Sequence, residues 1–102
     1  DTEFAKWWIV QRQEFKPRGK RALTSELRQK GVEREIIEEV LRETKIDEEK
    51  IARELLEKKA YKWKSLPERK AQQKMTEFLA RKGFGWETID KVVSKVVKLE
   101  SE

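Results

Sequence analysis

Apolar residues recur along this chain at intervals of three and four almost from end to end, the signature of amphipathic helices. Phe4, Ala5, Trp8 and Ile9 predict a first helix over residues 2–15. Lys16-Pro17-Arg18-Gly19 interrupts it. Leu23 and Leu27 mark a second helix ending near Lys30, with Gly31 placed to take the left-handed conformation beyond its C-terminus. Ile36, Ile37, Val40 and Leu41 predict a third, strongly amphipathic helix. Thr44 to Asp47 is the next break. Asp47 suits the N-cap of a fourth helix, Glu48 and Glu49 suit its first turn, and Ile46 and Ile51 have the spacing of a hydrophobic staple. That helix carries Ile51, Ala52, Leu55 and Leu56. Ser65-Leu66-Pro67-Glu68 reads as a capping box with proline in the first turn of a fifth helix. Ala71, Met75, Phe78 and Leu79 form its apolar face and Gly83 ends it. Ile89, Val92, Val93 and Val96 predict a sixth helix from about Trp86; their β-branching also suits a strand, but their spacing favours the helix.

The six helices follow one plan twice. Phe4-Ala5, Trp8-Ile9 and Arg12 match Ile51-Ala52, Leu55-Leu56 and Lys59 at an offset of 47. Leu23, Leu27, Lys30 and Gly31 match Met75, Leu79, Lys82 and Gly83 at an offset of 52, and Ile37, Val40 and Leu41 match Ile89, Val92 and Val93 at the same offset. The five extra residues fall in the linker from Lys62 to Leu66, where insertion is tolerated. The expected fold is all-α: two tandem three-helix repeats, residues 1–45 and 46–102, stacked as an elongated, curved array.

Charge adds a direction to this picture. Residues 16–30 hold six Lys or Arg against one Glu, and residues 58–74 hold seven against one. Residues 33–49 hold eight acids against three bases. Segregated basic surfaces suit a polyanion, whereas a solvated helical face is the plainer explanation of each run. The absence of cysteine and histidine removes disulfides, thiolate nucleophiles, a Ser-His-Asp triad and the usual zinc sites. Glu38-Glu39 and Glu48-Glu49 lie on open helical surface, unlike catalytic carboxylates in a pocket. No cofactor is called for, and an enzyme is not expected. No apolar run has the length of a membrane span and no signal-like start is present, so a cytoplasmic protein is expected. A start at Asp1 reads as a fragment or a processed chain.

The ordered set Phe4-Ala5, Trp8, Arg12, Pro17-Arg18-Gly19 and Glu26-Leu27-Arg28-Gln29-Lys30-Gly31 resembles the RecX family of recombination regulators. Asp47-Glu48-Glu49, Ala52 and Phe78-Leu79-Ala80-Arg81-Lys82-Gly83-Phe84 carry the resemblance through the second copy. The resemblance implies three-helix repeats, usually three, with this chain holding the second and third. It also implies a bacterial protein of DNA repair that binds the RecA recombinase filament on single-stranded DNA and inhibits its growth and activities. Two alternatives remain open: a general nucleic-acid-binding helical module, or a structural helical repeat without a DNA role.

With Leu23 and Leu27 facing the core, a 100° step per residue sets Arg18, Arg21, Ser25 and Arg28 on the opposite face. Guanidinium forks and a hydroxyl suit phosphate oxygens. Lys16 and Lys20 flank the same helix start, whose free amides also favour anions. The matching face of the second copy holds Lys70, Gln73, Glu77 and Ala80 and is less basic, so only Lys70 joins the candidates. Lys58, Lys62 and Lys64 add positive charge around Tyr61 and Trp63. These aromatics have the makings of a base-stacking platform but more often close a core or pin a loop. Arg12, Lys30, Lys59 and Lys82 are best explained as cations settling helix C-termini. Trp7 and Val10 point away from the Phe4-Trp8 face and are expected to pack against a preceding repeat or a partner chain.

Overall fold

The computed structural model describes residues 2–101, with side chains up to residue 97. Asp1 and Glu102, at the outer limits of the two expected repeats, lie outside the described residues. The helices are α1 (Thr2–Phe15), α2 (Lys20–Gln29), α3 (Arg34–Glu43), α4 (Glu48–Lys59), α5 (Glu68–Arg81) and α6 (Trp86–Ser101). A single 3-10 turn, Ala60–Lys62, extends α4. The valine-rich segment is helical, as its spacing predicts. The molecule measures 46 × 22 × 20 Å, and its radius of gyration of 14.9 Å exceeds the roughly 13 Å of a compact chain of about 100 residues. It is therefore elongated.

Two separate cores explain that shape. Ala5, Ile9, Leu23, Leu27, Val32, Ile37, Val40 and Leu41 fill the first. Ala52, Leu56, Met75, Leu79, Phe84, Ile89, Val92 and Val93 fill the matching places in the second, joined by Ala71, Val96 and Val97. Each buried residue of the first core thus has a buried counterpart at the sequence offset. The second core gains from the longer α6, which places Val96 and Val97 within it.

Helices α2 and α5 end alike. Gly31 and Gly83 take φ values of +86° and +89°. The Val32 amide then donates to the Leu27 carbonyl (3.0 Å), and the Phe84 amide to the Leu79 carbonyl (3.2 Å). This is the Schellman pattern, in which the residue after glycine folds back onto the last helical turn. Val32 and Phe84 are delivered to their cores by it.

Two local expectations are corrected. The Ser65 capping box does not form: α5 begins at Glu68 with Pro67 as its N-cap, and no side chain caps it. The tight turns from Ala60 to Leu66, closed by the Trp63 and Leu66 amides donating to the Ala60 and Trp63 carbonyls, hold Ser65 outside the helix. Asp47 does cap α4, accepting from the Lys50 amide (3.2 Å). The staple does not close as expected, because Ile46 packs on the first core and Ile51 on the second. The pair bridges the two repeats, next to Lys45, whose φ of +49° turns the chain from one to the other.

The repeats meet at the start of α2 and the end of α5. The Gly19 amide donates to the Lys82 carbonyl (2.9 Å) and the Arg21 amide to the Gly83 carbonyl (3.1 Å). Free amides of one helix thus satisfy free carbonyls of another, and opposite dipole ends are brought together. Glycine is required on both sides by proximity. A Cβ on Gly19 would collide with the Gly83 carbonyl, and one on Gly83 would collide with Ala22. Gly31, the counterpart of Gly83, faces open space.

Candidate nucleic-acid interface

Helix α2 sinks Leu23 and Leu27 into the first core, which leaves Arg21, Ser25 and Arg28 outside. With Lys20, Thr24 and Gln29 they line an open groove of about 640 Å³. No carboxylate lines it. Among the described residues neither Arg21 nor Arg28 has an ion-pair partner. The helix start itself is not free for an anion. The Lys20 amide donates to the Glu48 carboxylate (2.9 Å), and the Gly19 and Arg21 amides are taken by carbonyls at the end of α5. The second repeat supplies these partners, so a reading of α2 alone has no access to them.

Arg18 leaves the row predicted for it. It precedes the first helical residue, so the 100° step does not fix its direction. It lines a second groove, of about 450 Å³, with Lys59, Lys62, Trp63, Phe78, Arg81 and Lys82. Its Nη1 donates to the Pro17 carbonyl (3.1 Å). Lys16 lines a third, largely apolar groove with Trp7, Trp8, Gln11, Arg12 and Phe15. Lys58, Lys64 and Lys70 are exposed and line none of the three. The structure thus brings together Lys20, Arg21, Ser25 and Arg28 in one place and Arg18 with Lys62 in another.

Lys59, Arg81 and Lys82 were not among the sequence candidates. The signal lay in comparing the copies. In the first repeat, Trp8 Nε1 (2.8 Å) and Arg12 Nε (3.0 Å) both donate to one oxygen of Glu26. At the place of Glu26 the second repeat has Phe78, which packs edge-on against Trp63 with ring centroids 5.7 Å apart. Lys59, the counterpart of Arg12, therefore has no carboxylate to meet. Lys82 lies over the Phe78 ring, 5.5 Å from its centroid. Burial lowers its pKa from the ordinary 10.5, and the cations of Arg18, Lys59, Arg81 and Lys16 lower it further. Trp63 is half-buried against the second core, while Tyr61 stands exposed.

Glu48 and Glu49 have structural partners. Glu48 caps α2, and Glu49 meets Lys91 (3.6 Å) and Lys95 (3.8 Å). Among the described residues no group of three or more His, Cys, Asp or Glu side chains is placed to hold a metal ion. No described helix is long and apolar enough to cross a membrane.

Two family models match the chain: the second three-helix domain of RecX over residues 1–41, and the third three-helix domain of RecX over residues 47–93. The chain belongs to the RecX family. Similar proteins include the regulatory protein RecX of Amycolatopsis mediterranei, 36% identical over 85 residues, which cover 82% of this chain and 49% of that protein. The regulatory protein RecX of Chlorobaculum tepidum is 34% identical over 101 residues, covering 99% of this chain and 61% of its own length. That of Streptomyces coelicolor is 32% identical over 103 residues, with 100% and 55% covered. The chain thus spans between 49% and 61% of the length of these curated relatives. No solved structure gives a significant match. In RecX terms, the groove of Arg21 and Arg28 belongs to the second three-helix domain. The groove of Arg18, Lys59 and Lys82 lies between the second and the third.

Proposed function

We propose that this chain acts on a RecA recombinase filament assembled on single-stranded DNA, restraining its growth and its activities in recombination and repair. The observation that supports this most directly is the unneutralised row of Lys20, Arg21, Ser25 and Arg28 along the open groove of α2. A guanidinium presents a planar fork of N–H donors matched to phosphate oxygens, and a hydroxyl adds a further hydrogen bond. Lys58, Lys62, Lys64 and Lys70 carry positive charge on to the second repeat, where they add to phosphate attraction without fixing a geometry. Repeats 1–45 and 46–102 act as one rigid body, held by the amide-to-carbonyl bonds between α2 and α5. The exposed acids of α3, Glu35 and Glu39 among them, face basic patches on the recombinase. The cytoplasm is the place of action.

The test follows RecA filament growth and ATP hydrolysis on single-stranded DNA with the chain added. Arg21→Glu together with Arg28→Glu is expected to abolish restraint while the helical circular-dichroism signal is kept. Unchanged restraint by that pair removes the proposed contact face. A general nucleic-acid module instead binds single-stranded DNA equally well with and without recombinase. In either reading, Arg21→Gln with Arg28→Gln reduces the salt slope of DNA binding by roughly 0.7 for each phosphate that is no longer neutralised.

A further inference from the structure

We propose that the seam between the two repeats is a distinct anion site, which takes a phosphate group and fastens the second repeat to the first. Its cations come from both sides: Arg18 from the first repeat, and Lys59, Lys62, Arg81 and Lys82 from the second. Among the described residues none of the five has an ion-pair partner. Trp63 and Phe78 form an apolar wall in the same groove. The Phe78 ring shields the Lys82 ammonium in part from water, which strengthens any interaction that ammonium makes.

The seam keeps these cations near one another at the backbone. Gly19 and Gly83 are in backbone contact, and the amide-to-carbonyl bonds fix Arg18 close to Lys82. A phosphate group supplies the missing negative charge and offers several acceptor oxygens to donors on both repeats. The first repeat shows how the same plan is neutralised from within, since Glu26 holds Arg12 there. The second repeat has Phe78 in place of that carboxylate, so the repeat itself supplies no counter-charge here, and an external anion can. Two sources share the required chemistry, a DNA phosphodiester and a free diphosphate. The site needs no recombinase, so its failure leaves the filament reading standing, and the reverse holds.

Backbone amide resonances of Gly19, Lys82 and Gly83 in the full chain report on the seam. Inorganic pyrophosphate at constant ionic strength is expected to shift these three, separately from any shift of Ser25 and Arg28 that reports the α2 groove. It is also expected to raise the melting temperature above that in matched chloride. Lys59→Gln with Lys82→Gln is expected to weaken pyrophosphate binding by about tenfold or more, as expected when at least one charge-assisted hydrogen bond is removed. Arg21→Gln with Arg28→Gln leaves the shifts of Gly19, Lys82 and Gly83 unchanged. If the seam pair does not fold, the titration of the unaltered chain decides: shifts confined to Ser25 and Arg28 overturn the site. Equal responses to chloride and pyrophosphate, or full affinity in a folded seam pair, also overturn it. Displacement of pyrophosphate by a short oligothymidylate assigns the site to phosphodiesters, and its retention assigns the site to free phosphate compounds.

Discussion

The two repeats share a backbone plan and a core register, yet they resolve one position in opposite ways. In the first, Glu26 accepts from Trp8 and Arg12, and the Arg12 and Lys30 cations lie over the Trp8 ring at 5.0 and 4.8 Å. One of the two cations is paired and the aromatic is covered. In the second, Phe78 stands where Glu26 does, Leu55 replaces Trp8, and Trp63 from the linker covers the ring. Burial is kept and the ion pair is lost. The difference between Glu26 and Phe78 thus leaves the second joint without a carboxylate while the fold stays the same. Phe78 packs on the second core and against Trp63, whereas Glu26 serves the first repeat through its charge.

The largest effect that separates the repeats should come from the residue after each Schellman glycine. Phe84→Ala is expected to cost about 3–5 kcal/mol, measured by urea denaturation, because a fully buried ring leaves a cavity. Val32→Ala removes less volume and should cost clearly less; equal losses would contradict the larger role of the second core. Next come the glycines. Gly31→Ala should cost about 1–2 kcal/mol for its left-handed backbone alone. Gly83→Ala adds the collision with Ala22, for a total of about 2–5 kcal/mol. Matching values would mean that the seam opens freely.

Glu26→Gln should cost about 1–2 kcal/mol, since the carboxylate accepts two hydrogen bonds but is only partly shielded from water. The reverse exchange sharpens the point. Phe78→Glu should bring the Lys82 pKa back up toward its ordinary value and remove pyrophosphate binding, both readable by NMR. The smallest effect is on pH dependence. A lysine with a lowered folded-state pKa holds fewer protons in the folded state than in the unfolded one. Its unfavourable charge is therefore relieved as pH rises through the lowered value toward 10.5. Stability of the unaltered chain should rise across that window relative to Lys82→Gln. A flat difference would show that Lys82 titrates normally.

Six helices, both core registers and the two glycine ends were legible in the sequence, because each rests on residues within a turn or two of one another. Leu23 and Leu27 fix which side of α2 is buried, and Gly31 needs only its own backbone freedom. The capping box at Ser65 failed although its pattern is local, because the turns around Trp63 claimed that segment. The site divides along the same line. Arg21, Ser25 and Arg28 share a face by helical geometry alone. The turning aside of Arg18, the capping of Lys20 by Glu48 and the meeting of Arg18 with Lys59, Arg81 and Lys82 depend on where the second repeat docks. Periodicity along a chain encodes what each helix buries, and only the packing of helices and repeats decides which charges become neighbours. Charge interactions reach across space without regard to sequence separation.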